Sequence, residues 1–516
     1  MFSTILSAAI HGIEAVTVHV EVDTARGLPG FMMVGCLSSE VKEAGERVRV
    51  ALRNSGISIP PAHITVNLSP ADIRKEGNAF DLPVAVGILQ SLGYLSEEKT
   101  KDTMIVGELS LDGSVHKVKG ILPFVRKARA GGIKRCIVPQ DNKAEGSVIP
   151  EIEVIGAVTV AQVLRLLNGE TPEPPEKKER MEIDVCDRKE AETSCGEPDF
   201  ADINGQPLAR RSMEIAAAGF HHILLTGPPG SGKTMLAKRI PTIMPPLTME
   251  ESLEVSTIYS VSGLLNEEQS LITSRPFLNP HHTITEQALA GGGRIPRPGI
   301  ISLAHKGVLF LDEMPEFRQN VLDMLRQPLE EKVIHLARIG GNYVYPADFM
   351  LAGAMNPCPC GFYPDKNRCR CTPAMIKKYQ HRISGPILDR IDMCTQVPRV
   401  SMGELKNRNR NESSAAIRRR VMAAIKIQEE RYEGKNYRFN AGLAPNDMQK
   451  YCCLEGEEQK LMDQVYRKME LSARGYYRIL KVARTIADLD GSERIKKLHL
   501  AEAVSCRMAG ETYWEG

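Results

Sequence analysis

The residues Gly227, Pro228, Pro229, Gly230, Ser231, Gly232, Lys233 and Thr234 match the pattern G-x-x-x-x-G-K-T. Glycine at 227, 230 and 232 lets successive backbone N–H groups curl toward one point, which suits the oxygens of a polyphosphate. An apolar run, "ILL", enters the loop, and a helix-forming run, "TMLAKRI", leaves it. The positive end of that helix is therefore aimed at the same point. Strand, loop and helix together distinguish a P-loop from a chance glycine-rich turn. Lys233 is expected to reach the β- and γ-phosphates, and Thr234 to ligate Mg²⁺.

Further along, "GVLFLDEMPEF" is a buried-strand pattern ending in Asp312 and Glu313. Taken alone, such an ending is often only a strand end. Downstream of a P-loop it reads as a Walker B pair. Asp312 then holds the magnesium, directly or through water, and Glu313 polarises the attacking water. A third apolar run, "FMLAGAMN", ends in Asn356. Strand ends of a parallel sheet converge on the ligand crevice, so Asn356 is expected to orient the water beside the γ-phosphate.

Two residues after Asn356 come Cys358, Cys360, Cys369 and Cys371, spaced C-x-C-x8-C-x-C. Four thiolates are enough for a closed tetrahedral Zn²⁺ site. The "GFYPDKN" between the pairs has the composition of a chain reversal. Structural zinc is the favoured reading, with unligated thiols or a redox switch as alternatives. The other cysteines, including Cys452 and Cys453, lack ligand spacing and are expected to pack as small apolar side chains.

These groups need elements to carry them. A chain of 516 residues is too long for one core. Residues 1–168 alternate β-rich runs ("AVTVHVEVDT", "HITVNLSP", "RCIVPQ") with helical ones, an α/β pattern. Residues 169–199 are rich in Pro, Glu and Lys and read as a linker. A second α/β unit, with the P-loop, spans 200–399, and 400–516 has helical periodicity. The net charge of +2 supplies no global field for a polyanion, so any nucleic-acid site must be local. No uninterrupted apolar run is long enough to span a membrane. Twelve cysteines without a secretion signal argue for a reducing, cytoplasmic setting.

The order "GPPGSGKT", "VLFLDE", "AMNPCPCG", "SGPILDRID" and "LSARGYYRILKVARTIADL" resembles the ATPases related to the magnesium-chelatase motor subunit. Within that group it looks most like the YifB/ComM family, which also carries an N-terminal domain with "NLSPADIRKEGNAFDLPVAVGIL". The resemblance covers essentially the whole chain outside the linker. It implies an α/β multidomain protein: a Lon-protease-like (ribosomal S5 domain 2-like) N-terminal domain, an AAA+ P-loop core with a parallel sheet, and a C-terminal helical lid. The cofactors it implies are ATP and Mg²⁺. It also implies a homo-oligomeric, hexameric ring that acts on single-stranded or branched DNA as a helicase or branch-migration factor. A chelatase- or chaperone-type remodeller of a partner protein is the alternative.

By the same resemblance Arg390, in "ILDRID", matches the arginine finger that reaches a neighbour's γ-phosphate. Arg474, in "SARG", matches the sensor-two arginine of the lid. Spacing alone would make either a surface arginine, or one paired with an acid such as Asp392. "RPFLNPHHTITEQALAGGGRIPRPG" lies where the wider clade inserts into its second helix. "EKVIHLARIGGNYVYPADF" reads as a β-hairpin where the clade has its pre-sensor hairpin. Arg294, Arg297, Lys332 and Arg338 are candidate phosphate contacts, as are Lys366, Arg368 and Arg370 between the cysteine pairs. In the Lon-like stretch the nucleophile position is Ala79 and the lysine position falls near Leu122, with Lys119 close by. A Lon-like fold without its protease dyad is expected.

Overall fold

The computed structural model describes residues 1–170, 198–265, 270–293, 296–338, 341–406 and 411–511. The linker reading at 169–199 falls almost wholly outside them, as do Arg294, Cys186 and Cys195.

The first sheet begins with a long hairpin, Phe2–His11 and Glu14–Arg26, in register from Phe2 opposite Asp23 to His11 opposite Glu14. Val18, Val20 and Val22 alternate with His19, Glu21 and Asp23, and the valines are fully buried. That period of two fixes which face meets the core. Across the sheet the order is Gly30–Val34, Ala62–Ser69, Glu14–Arg26, Phe2–His11, Thr103–Ile105, Arg135–Pro139 and Glu153–Ala157. The helix Asp81–Ser91 lies on it and is buried along its whole length. Gly87 allows this close seat, since a Cβ there would stand 2.7 Å from Val22 Cγ2. Asp81, buried at the helix start, is held by Arg47 at 2.9 Å. The run "SSEVKEAGERVRVALRNSG" forms two helices, Ser39–Lys42 and Ala44–Asn54.

The second sheet is five-stranded and parallel, in the order Phe277–Leu278, Val308–Leu311, Met350–Met355, Ile223–Thr226, Met393–Gln396. Every residue of Ile223–Thr226, Val308–Leu311 and Met350–Met355 is buried. Parallel strands covered on both faces must be apolar without alternation, which is why these runs are legible. The expected hairpin pairs Val333–Arg338 with Gly341–Pro346 and stands apart as its own two-stranded sheet.

Toward the C-terminus come the helices Ser414–Arg431, Pro445–Tyr451, Gly456–Lys468, Ala473–Leu489 and Lys497–Glu511. They share one apolar core with the P-loop strand and helix, from Ile223 and Leu236 to Val421, Ile479 and Leu500. A separate core joins the first sheet's domain to the helix Met249–Ser262 that follows the P-loop helix. Ile121, Leu122, Phe124 and Val125 pack there with Leu253, Tyr259 and Leu265. Gly120 N–H donates to Ser260 O at 3.1 Å across the same seam. His11, at the tip of the long hairpin, stacks on Tyr343 of the second hairpin, with ring centroids 4.5 Å apart. Among the described residues no helix is long and apolar enough to cross a membrane.

Candidate nucleotide site and cysteine knuckle

The P-loop leaves the carboxyl end of Ile223–Thr226, next to the carboxyl ends of Val308–Leu311 and Met350–Met355. Gly230 and Gly232 take φ of 72° and 90°, the left-handed backbone that turns the loop. A Cβ on Gly227 would meet Val397 O at 2.2 Å, so this glycine is required by packing instead. Lys233 Nζ donates to Gly227 O (2.7 Å), Pro228 O (3.0 Å) and Asn356 Oδ1 (3.1 Å). Burial pushes the Lys233 ammonium down to about 8, against the pull of Asp312 and Glu313. Thr234 Oγ1 donates to Asp312 Oδ2 at 2.6 Å, so a hydroxyl and a carboxylate oxygen meet as a pair of hard ligands. Glu313 N–H donates to Asp312 Oδ1 at 3.0 Å, and the Glu313 side chain is exposed in the crevice with its backbone at φ 51°. Ser231 Oγ is buried without a hydrogen-bond partner in the chain. A polyphosphate in the loop fits this orphaned hydroxyl and the Lys233 ammonium.

Arg390 and Arg474 are elsewhere. Arg390 lies just before Met393–Gln396, at the amino end of the sheet, where His222, Lys306 and Asp348 also precede their strands. Strands of four to six residues put about 13–20 Å between this end and the P-loop. Arg390 Nη2 meets Glu330 Oε1 at 2.7 Å, and Arg474 Nη2 meets the same oxygen at 3.3 Å. Asp392, the acid that spacing offered to Arg390, is taken by Arg478 at 2.5 Å. Both arginines therefore converge on one carboxylate, away from the P-loop of their own chain. Arg474, Arg478, Lys332, Lys306 and Asp348 line a cleft of about 770 Å³ there.

The remaining cationic candidates separate. Arg338, on the second hairpin, and Arg297, on the insert, are exposed. Lys332 is engaged by Asp348 at 3.1 Å, which also holds Lys306 at 2.9 Å. Burial disfavours the Asp348 carboxylate, but Lys332 and Lys306 overcome this and hold it well below the usual range. Lys332 is thus a hairpin anchor more than a free phosphate contact. Lys366, Arg368 and Arg370 are exposed.

The four cysteines fold together. Cys358 Sγ lies 3.3 Å from Cys360 Sγ and 3.8 Å from Cys369 Sγ, and all four sulfurs are within 4.8 Å of one another. Four thiolates at about 2.3 Å from one Zn²⁺ would be about 3.8 Å apart, so the donor set fits. Tyr363 N–H donates to Cys358 Sγ at 3.4 Å. Against the cost of burial, N–H donors of Phe362 and Arg370 bring the Cys360 thiol down to about 6. Of the other cysteines, Cys136, Cys394 and Cys452 are buried as expected. Cys453 and Cys36 are exposed, so the packing expectation fails for them.

In the N-terminal domain, Ala79 and Lys119 line one cavity of about 430 Å³ beside Arg297 and Tyr343. Leu122 is instead buried in the seam with the second domain.

Residues 199–405 match the family described as magnesium chelatase, subunit ChlI. Residues 20–142 match subunit ChlI of Mg-chelatase, and 411–507 match its C-terminal region. The protein named YifB of Escherichia coli is 42% identical over 512 residues, covering 98% of this chain and 97% of its own. Competence protein ComM of Haemophilus influenzae is 41% identical over 508 residues, covering 98% and 97%. The chain belongs to the YifB/ComM family. A shorter likeness, 28% over 162 residues, reaches the magnesium-chelatase 67 kDa subunit of Chlorobaculum parvum, covering 31% of this chain and 23% of that one.

Three residues of this YifB/ComM chain make contacts that carry no sequence signal. Gln206, far before the P-loop, donates to Ser231 O and, at 3.1 Å, to Pro398 O. Glu330 gathers the two arginines. Gly361, between the cysteine pairs, meets Pro229 of the P-loop. Each joins residues distant in sequence, and only the fold brings them together.

Proposed function

We propose that this chain is an ATP-hydrolysing AAA+ ring motor acting on DNA, with helicase or branch-migration activity on recombination intermediates. One observation carries the motor reading: Lys233, Thr234, Asp312, Glu313 and Asn356 converge at one end of the sheet, while Arg390 and Arg474 are gathered at the other. A site split in this way is completed by a neighbouring copy, as in a ring. Lys233 orients the β- and γ-phosphates, and Asn356 fixes Lys233 and the water. Glu313 takes a proton from that water. Thr234 and Asp312 hold Mg²⁺, which neutralises phosphate charge when bound. Arg390 and Arg474 of the neighbour steady the charge of the transition state. The same reading makes the C-terminal helices the AAA+ lid, the N-terminal domain a Lon-like scaffold without a protease dyad, and the protein cytoplasmic. The four cysteines hold a structural Zn²⁺.

A DNA substrate is favoured by the full-length likeness to a competence protein and by exposed Arg297, Arg338, Lys366, Arg368 and Arg370. ATP turnover with and without single-stranded and branched DNA tests it. Stimulation with strand displacement is expected; the absence of both would sink the DNA reading. A chelatase-type remodeller of a partner protein is the second reading, favoured by the magnesium-chelatase likeness. Turnover that ignores DNA would favour it.

A further inference from the structure

The cysteine knuckle is built against the P-loop. Asn356, the partner of Lys233, is followed within two residues by Cys358, which is fully buried. Gly361 N–H donates to Cys358 O at 2.9 Å and turns the chain at φ 80°. That turn lays Gly361 on Pro229, so closely that a Cβ on Gly361 would stand 2.5 Å from Pro229 Cδ. The next residue, Phe362, lies under the Arg399 guanidinium, 5.3 Å from ring centroid to carbon. Arg399 is two residues past Val397, whose carbonyl fills the space beside Gly227. Val397 N–H in turn donates to Thr226 O at 2.8 Å. The knuckle thus touches the P-loop at Pro229 and touches the segment that backs Gly227.

A loop of three glycines and two prolines has few contacts of its own to hold its N–H groups converged. A displacement of about 1 Å at such a site costs up to about a hundredfold. The segment carrying Gly361 is short, and its shape depends on four sulfurs standing together. Without a cation, four thiol groups within 4.8 Å have no strong mutual attraction. With one, the knuckle is a closed tetrahedron.

We infer that the metal-loaded knuckle is a buttress of the P-loop, in which Gly361 seats Pro229 and metal occupancy sets the affinity for nucleotide. Gly361 is a positioning residue and touches no substrate. The inference rests on the zinc reading of the four cysteines, and the test separates the two.

Zinc content is measured on the full chain, before and after a zinc-selective chelator. Binding of a fluorescent ATP analogue is measured in excess Mg²⁺ on the loaded, stripped and zinc-restored protein. One zinc per chain is expected, with affinity falling about tenfold on stripping and recovering on restoration. Pro229→Gly removes the ring that Gly361 seats. It should keep its zinc, and its affinity should change little between loaded and stripped forms. A chain that neither holds nor takes up zinc overturns the zinc reading and the buttress with it. Bound zinc whose removal leaves affinity unchanged overturns the buttress alone. An equal loss in wild type and Pro229→Gly also overturns it, because the effect then bypasses the contact. That last outcome covers general unfolding of the stripped chain.

Discussion

Lys233 is the residue whose chemistry is most exposed to experiment. Its ammonium, lowered by burial to about 8, must be charged to meet phosphate, so nucleotide affinity should be flat below that pH and weaken by up to about tenfold per unit above it. The sign follows from binding: phosphates favour the protonated form, so binding at high pH takes up a proton. Titration calorimetry in buffers of different ionisation enthalpy reads that uptake, and no uptake at pH 9 would mean another group governs binding. Glu313→Gln removes the proposed base and keeps the shape, so the variant should bind the ATP analogue as wild type does and lose turnover by at least about a hundredfold. Normal turnover would move the base elsewhere. Glu313 was legible in sequence because it follows an apolar run that reads as a buried strand, and Lys233 because its glycine-rich loop joins such a run to a helix. Gln206 was not, since its bond to Ser231 O depends on where two distant segments meet.

At the scale of elements, the sheet separates the P-loop residues from the Glu330-held arginines Arg390 and Arg474. Glu330 sits on the short helix Pro328–Glu331, just before the second hairpin, and holds Arg390 and Arg474 together. Glu330→Ala should leave nucleotide binding unchanged and lower kcat, because both guanidiniums lose their common anchor. A kcat equal to wild type would show that neither depends on it. The hairpin is pinned at its base by Lys332 and Asp348 and near its far end by the Tyr343–His11 stack. Asp348→Ala strands Lys306 and Lys332 without their carboxylate and should cost about 1 kcal/mol in urea unfolding. Because the Asp348 carboxyl is held below its ordinary range, its contribution is present above about pH 4 and is lost as pH falls through its lowered value. The hairpin itself was readable from its alternation around "IGGN". The ion triad at its base was not, because lysines 306 and 332 and Asp348 belong to three separate loops.

At the scale of the molecule, the proposed completion of the catalytic centre by a neighbour would make two defects complementary. Subunits carrying Arg390→Ala and subunits carrying Glu313→Gln should each be inactive alone. Mixed and reassembled, they form some interfaces with an intact Glu313 facing an intact Arg390, and turnover should reappear. Failure to recover any would place Arg390 outside the reaction. The alternating α/β runs and the helical periodicity toward the C-terminus were legible, but the joints between them were not. Ile121, Leu122, Phe124 and Val125 read as an ordinary amphipathic stretch of the first domain, yet they fill a core shared with Leu253, Tyr259 and Leu265 of the second. That shared core has a practical consequence for anyone dissecting the protein. Cutting at the linker yields fragments that each carry a raw apolar wound, so an excised ATPase half should precipitate or stick to itself where the intact polypeptide does not, and its behaviour would report the surgery more than the enzyme.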